Sequence, residues 1–174
     1  MPTASGGRLK STKNGLLMYI KPIGVIHSPF KSREDIKKAK EKRLSDFEKS
    51  EGELEIFEEF EPGLKDIDSF SHLIIIFAFH KSRQRNLFAH PPHDGKKRGV
   101  FATRSPDRPN PLGMTVVKLI RREKNRIRVS GVDTIEGTPV LDIKPYTQKD
   151  LKENASFGWL SKKQNNKYRS FDIS

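Results

Sequence analysis

The chain has 174 residues, with 34 Lys and Arg against 22 Asp and Glu, a formal net charge of +12, and no cysteine. At this length one domain is expected. A disulfide scaffold, a thiolate metal site, an iron–sulfur cluster and a cysteine nucleophile are excluded. The longest apolar run, Leu73 to Phe79, is strand-sized, and the first residues contain no apolar stretch of a signal peptide. The expectation is a soluble, cytoplasmic protein with an anionic partner such as nucleic acid and no membrane association.

Residues 1–18 lack periodicity and are rich in small and polar types, so a disordered leader is expected there. The compact domain is placed at residues 19–160, and residues 161–174 form a basic polar tail with Lys162, Lys163, Lys167 and Arg169. Inside the domain, Tyr19–His27 reads as a first strand. Arg33–Lys49 is helical in composition, with an irregular apolar stripe. Glu53–Phe60 alternates, which predicts a half-buried strand, and Pro62-Gly63 is a turn pair. Asp66–Phe70 predicts a short helical turn. His72–His80 is apolar on both faces, as in a central, fully buried strand. Thr115–Arg121 and Arg126–Val132 alternate around the Lys124-Asn125 turn, which predicts a hairpin, and Thr138–Ile143 supplies another strand. Six or more short strands with few helices predict a mainly β fold, a small closed or strongly curved β-barrel. No GxGxxG follows a strand, so a Rossmann cofactor domain is excluded.

The charge is segmented. Residues 46–68 hold ten acids and two lysines, a net of −8. Residues 81–128 hold fourteen Lys and Arg against three acids, a net of +11. One reading is a basic face that neutralises phosphates. The other is a pair of solvated strand faces that neutralise each other.

Three segments depart from ordinary barrel sequence. In Gly99–Gly113, prolines 106, 109 and 111 fix φ and remove donors. The segment is therefore a stiff loop presenting Arg104, Asp107, Arg108 and Asn110. Arginine offers a planar fork to carboxylate or phosphate, and asparagine offers both donor and acceptor to a base edge. In Val132–Tyr146, Asp142 and Lys144 alternate along a strand and share one face. They form either a simple salt bridge or a pair that orients a substrate. In Ser69–His80, a histidine stands at each end of the apolar strand. The run His90-Pro-Pro-His93-Asp94 has neither helical spacing nor a thiol, so no metal site is expected.

Together these pieces resemble the TrmO (TsaA-like) family of barrel-type methyltransferases. The matching strings are Ile23-Gly-Val-Ile-His-Ser-Pro29, Phe70-Ser-His-Leu73, Gly99-Val-Phe-Ala-Thr-Arg-Ser-Pro106, Arg108-Pro-Asn-Pro-Leu-Gly113 and Gly137-Thr-Pro-Val-Leu-Asp-Ile-Lys-Pro-Tyr146. They occur in the family's order over about residues 20–147. The resemblance implies a homodimer that uses S-adenosyl-L-methionine to methylate N6 of N6-threonylcarbamoyladenosine, just 3′ of the anticodon in tRNA. It implies cofactor contacts at His80, Lys81, Arg104, Met114, Val132 and Asp133. Asn110, Asp142, Lys144 and Tyr146 would line the substrate side, with Arg108 beside Asn110. Two departures stand out. The family's proline-containing cofactor loop is replaced by the Lys/Glu-rich 33–49 segment, and Glu136 stands for the Asp usual before Gly-Thr-Pro.

The acceptor nitrogen is amide-like and weakly basic, so a proton acceptor is expected. Asp142 or Tyr146 is assigned that role, with Lys144 biasing its ionisation, and Arg104 is assigned a carboxylate. Two other readings fit the residues. One is a barrel that binds RNA without chemistry, although Phe88 and Phe101 look isolated and form no stacking series. The other is a methyltransferase for a different RNA site or a small molecule.

Overall fold

The structure, a computed structural model, describes residues 10–12, 15–42, 49–91 and 95–161. Ten strands and one α-helix are present among them. β1 (Lys10–Thr12) and β2 (Gly15–Leu17) form a small antiparallel ribbon within the stretch expected to be a leader. The barrel strands are β3 (Gly24–His27), β4 (Glu51–Ile56), β5 (His72–Ala78), β8 (Leu112–Glu123), β9 (Arg126–Ser130) and β10 (Thr138–Pro145). They close in the order β10-β3-β4-β9-β8-β5, with every neighbouring pair antiparallel. Closure removes the unpaired edges that an open sheet of this size would expose. Helix α1 (Arg33–Lys42) follows β3, and a minor ribbon of β6 (Phe88–Ala89) and β7 (Arg98–Gly99) lies in the long β5–β8 connection.

The interior is filled by the inward half of each alternation. Ile26, Leu54, Ile56, Leu73, Ile75, Phe77, Val117, Ile127, Val129, Val132 and Val140 are all nearly or completely buried. Branched side chains dominate because they pack well on a pleated surface and lose little rotamer freedom there.

Two strand boundaries and one burial pattern differ from the sequence expectation. The strand expected from Tyr19, β3, starts at Gly24 instead, because Pro22 offers no donor; Tyr19 and Ile20 are exposed. β4 ends at Ile56, and the chain turns into a 3-10 helix at Glu58–Leu64, where Pro62 rules out a continued ladder. β5 is not buried on both faces. Leu73, Ile75 and Phe77 point inward, whereas Ile74 and Ile76 are half-buried on the outside. Opposite them on β8 stand Val116 and Met114, 41% and 51% exposed. The expected hairpin forms, with Lys124 in the left-handed region at its turn, and the 3-10 turn Ile67–Ser69 falls where expected.

The charge segments meet on the far side of the barrel. Glu51 pairs with Arg128 at 2.8 Å, and Glu55 pairs with Arg126 at 3.0 Å. Arg126 also contacts Glu53. Arg122 lies within 3.8 Å of Glu61 and 3.7 Å of Asp68. Mutual neutralisation therefore accounts for much of the acidic segment and for the β8–β9 arginines.

Candidate cofactor and nucleic-acid site

At the open side of the barrel three elements converge: the end of β5, the proline loop and the β9–β10 connection. The last is tightly tied down. Gly131 and Gly137 take positive φ at its two ends, a conformation that costs other residues a steric penalty. Ser28 Oγ donates to the Thr134 carbonyl at 2.7 Å, the Ser28 amide donates to Glu136 at 2.6 Å, and the Glu136 amide donates to the Phe30 carbonyl at 2.7 Å. His27 lies between two carboxylates, with Nδ1 3.0 Å from Glu136 and Nε2 2.8 Å from Glu55. Its pKa is raised by the bond to Glu136 first and the bond to Glu55 second. Burial pushes the Glu136 carboxyl up, but the Ser28 amide and His27 overcome this and hold it below the usual carboxylate range.

The proline loop is equally fixed. Arg108 Nη2 donates to the carbonyls of Val100 at 3.1 Å and Thr103 at 3.2 Å. Asp107 accepts from Ser82 Oγ at 2.6 Å and from the Arg33 fork at 3.3 and 3.4 Å. The Ser82 bond, reinforced by Arg33, lowers the Asp107 pKa. Arg33 thereby docks α1 against the loop. The Pro111 carbonyl accepts from the Phe79 amide at 2.7 Å, which joins the loop to the end of β5.

Between these elements are two adjoining depressions of about 180 and 450 Å³. Phe77, Phe79 and Asp133 line both. The two rings meet edge-on at 5.1 Å and make the shared apolar wall. The smaller depression adds His80, Lys81, Thr134 and Ile135; the larger adds Arg104, Arg108 and Met114. Lys40 reaches in from α1, its Nζ 3.3 Å from Asp133. His80 is open to solvent, yet partial desolvation of its ring, and next the Lys81 ammonium, lower its pKa. The Lys81 ammonium donates to the Lys31 carbonyl at 3.2 Å.

Two polar groups here have no partner among the described residues. Thr134 is 3% exposed, and its Oγ1 makes no hydrogen bond. A buried hydroxyl left so costs roughly 1–3 kcal/mol, a cost that a ligand's polar group would remove. Arg104 is exposed, and no described carboxylate approaches it.

Five of the six expected cofactor positions line these depressions: His80, Lys81, Arg104, Met114 and Asp133. Val132 does not. It is 1% exposed in the core, its carbonyl accepts from Ser50 Oγ at 2.9 Å, and it seats Asp133 rather than facing the space. Asn110 is exposed on the loop beyond the larger depression. Asp142 and Lys144 form an ion pair at 2.6 Å on the outer face of β10, and Tyr146 lies edge-on to His72 at 6.2 Å. Within one chain these three line neither depression. Asp142 pairs with Ile76, which in turn pairs with Met114, so the strand β5 separates it from the site. Thr134 and Phe77 were not picked out in the sequence, because nothing in a core-like Thr or Phe marks which side it faces. Among the described residues no cluster of three or more metal-ligating side chains occurs. His93 and Asp94 lie outside the described residues.

Residues 25–150 match the tRNA-methyltransferase O N-terminal domain family. The chain belongs to the TrmO family. It is 47% identical over 148 residues to a probable S-adenosyl-L-methionine-binding protein of Pyrococcus abyssi, covering 84% of this chain and 78% of that one. It is 51% identical over 94 residues to the tRNA (adenine(37)-N6)-methyltransferase of Mus musculus, covering 52% of this chain. The chain spans only 22% of that relative's length. The crystal structure of TrmO from Pseudomonas aeruginosa superposes with a TM-score of 0.66 at 35% identity, covering 80% of this chain and 61% of that one. Membership of this family accounts for the barrel. No helix among the described residues is long and apolar enough to cross a membrane.

Proposed function

We propose that this protein is an S-adenosyl-L-methionine-dependent tRNA methyltransferase that acts in the cytoplasm on N6 of the adenosine 3′ of the anticodon, in its threonylcarbamoylated form. The observation that carries this reading is the paired depression, with a buried Thr134 hydroxyl at one end and Arg104 at the other, neither of them partnered among the described residues. An amino acid–nucleoside conjugate needs an apolar slot, hydroxyl acceptors and a carboxylate-binding cation, and these residues supply all three. Phe77, Phe79 and Ile135 exclude water from the base and the reacting carbon. Asp133 accepts hydrogen bonds from ribose hydroxyls or an ammonium, and Thr134 Oγ1 bonds a polar edge. Arg104 grips a carboxylate through its fork. Lys81 and a neutral His80 close the far end.

When bound, S-adenosyl-L-methionine supplies an activated methyl group on its sulfonium. The chain's contribution is alignment and proton acceptance. Asp142 or Tyr146 takes the proton, and the Lys144 ammonium holds Asp142 in place. Because β5 separates them from the depressions of their own chain, this role goes with a homodimer. The apolar outer face of Ile74, Ile76, Met114 and Val116 is the surface through which two copies pack.

The test is radiolabelled methyl transfer to tRNA bearing or lacking the threonylcarbamoyl group, with cofactor binding followed by calorimetry. Transfer only to the threonylcarbamoylated tRNA is expected. Undiminished transfer by both Arg104→Ala and Tyr146→Phe removes these assignments. Met114→Glu is expected to give a monomer in sedimentation, with transfer lost.

A further inference from the structure

Beside the depressions lies a third, larger groove of about 1070 Å³. Lys40 and Arg104 line both this groove and the larger depression, so the spaces are continuous. Three aromatic side chains from distant positions meet in it: Phe88, Phe101 and Trp159. Their exposure is built in. The 3-10 turn Val100–Ala102 sends Val100 inward at 1% exposure and so points Phe101 outward at 79%. The β6–β7 ladder sets Phe88, 54% exposed, opposite Gly99, and the Val100 amide bonds the Leu87 carbonyl at 2.9 Å. Trp159 is held by its indole N–H, which donates to the Ala102 carbonyl at 2.9 Å. Cations rim the rings. Lys97 Nζ is 4.2 Å from the Phe88 centroid, and the Arg98 guanidinium is 5.0 Å from that of Trp159.

We infer that this groove is a stacking platform for unpaired nucleotides, holding the single-stranded bases that flank the target adenosine. The inference rests on the tRNA reading above. Exposed rings offer π-faces to bases of any identity, and the rim cations meet the phosphates between them. Arg104 at the junction sets where the strand leaves the groove and the target base enters the depression. The chain's own tail is a poor occupant. Residues 162–174 carry Lys162, Lys163, Lys167 and Arg169 against Asp172, the same sign of charge as the rim.

Trp159 is the single tryptophan, so fluorescence excited selectively at tryptophan, beyond tyrosine absorption, reads this groove alone. The full chain is titrated with a single-stranded ribo-oligonucleotide of about eight residues, within the usual site size of such platforms, and with a blunt RNA duplex. Saturable quenching by the single strand, and little by the duplex, is expected. Phe101→Ala should weaken single-strand binding about 10-fold, the equivalent of losing one stacked base. It should raise KM for tRNA, keep kcat, and leave calorimetric cofactor binding unchanged. Phe101→Tyr should restore affinity, and Phe101→Leu should not. Methyl transfer to tRNA with no quenching, or with Phe101→Ala indistinguishable from the parent, overturns the platform and leaves the proposed function standing. Quenching by single-stranded RNA without any cofactor binding or transfer overturns the proposed function instead. Equal quenching by a poly-glutamate peptide assigns the groove to an acidic protein partner and overturns the RNA platform.

Discussion

On the outer face of β4 and β9, Arg126 and Arg128 sit opposite Glu51, Glu53 and Glu55, while around the proline loop Arg104 meets no described carboxylate. Both sets belong to the same +11 segment, and as residue types they are indistinguishable. The difference lies in register. Cross-strand pairing sets Glu53 opposite Arg128 and Glu55 opposite Arg126, and Glu51, opposite Ser130, reaches Arg128 across the diagonal, so those charges cancel locally. The loop has no such partner strand, and its prolines hold Arg104 away from the barrel's acids. A sum of charges therefore overstates the surface available to an anion, and the part that counts is the small set left uncompensated beside an apolar cavity.

The largest expected effect separates the two sets directly. Arg104→Ala should lower kcat/KM for tRNA methylation about 100-fold, near the upper end for charge-assisted hydrogen bonds, without changing the melting temperature. Arg126→Ala should leave kcat/KM unchanged and lower the melting temperature only slightly, because exposed pairs contribute little to stability. The reverse pattern would show that the zipped face, not the loop, meets the substrate.

Next is the backbone beneath the cavity. A Cβ on Gly113 would lie 2.3 Å from the Phe77 ring, which itself walls both depressions. Gly113→Ala should destabilise by about 1–3 kcal/mol through overpacking, read as a lower denaturant midpoint. Unchanged stability would mean that the ring moves freely, and that the wall is not fixed as described.

A smaller effect concerns salt. If the loop side meets phosphate, Lys97→Ala should reduce the slope of log K against log salt for RNA binding by about one phosphate contact. Arg128→Ala should leave the slope unchanged, since that charge is already paired at 2.8 Å.

The smallest is a pH effect where the zipped face touches the site. His27's pKa is raised, so its contribution is complete below its ordinary 6.5 and is lost as pH rises through the higher native value. Glu55, through its bond to His27, and Glu136 are lowered. Their contribution is therefore present above the ordinary 4.5 and is lost as pH falls through the native values. Support for the β9–β10 connection is thus greatest between these limits. The His27 side chain is 41% exposed, so the effect is under about 1 kcal/mol. Thermal melts from pH 5 to 9 should show the parent losing stability above pH 6.5 relative to His27→Gln; parallel curves would remove the role given to the His27 contacts with Glu55 and Glu136.

The chain by itself determined the barrel. Alternating branched residues on Leu54–Ile56, Thr115–Val117 and Arg126–Val129, with the Lys124-Asn125 turn, define strands whatever lies beside them, because a period of two is a local property. It also determined that the proline loop is rigid, since φ at prolines 106, 109 and 111 is set covalently. Only the tertiary structure decided what faces what. It sent Val132 into the core and Asp133 into the cavity, put β5 between Met114 and Asp142, and left Ile74 and Ile76 on an outer face that a continuous apolar run had suggested was buried. It brought together Phe88, Phe101 and Trp159, which look isolated along the chain because their proximity depends on the β6–β7 ladder and on a single indole hydrogen bond. Through strand register it also cancelled most of the charge on one side and left Arg104, on the other, with no carboxylate beside it among the described residues.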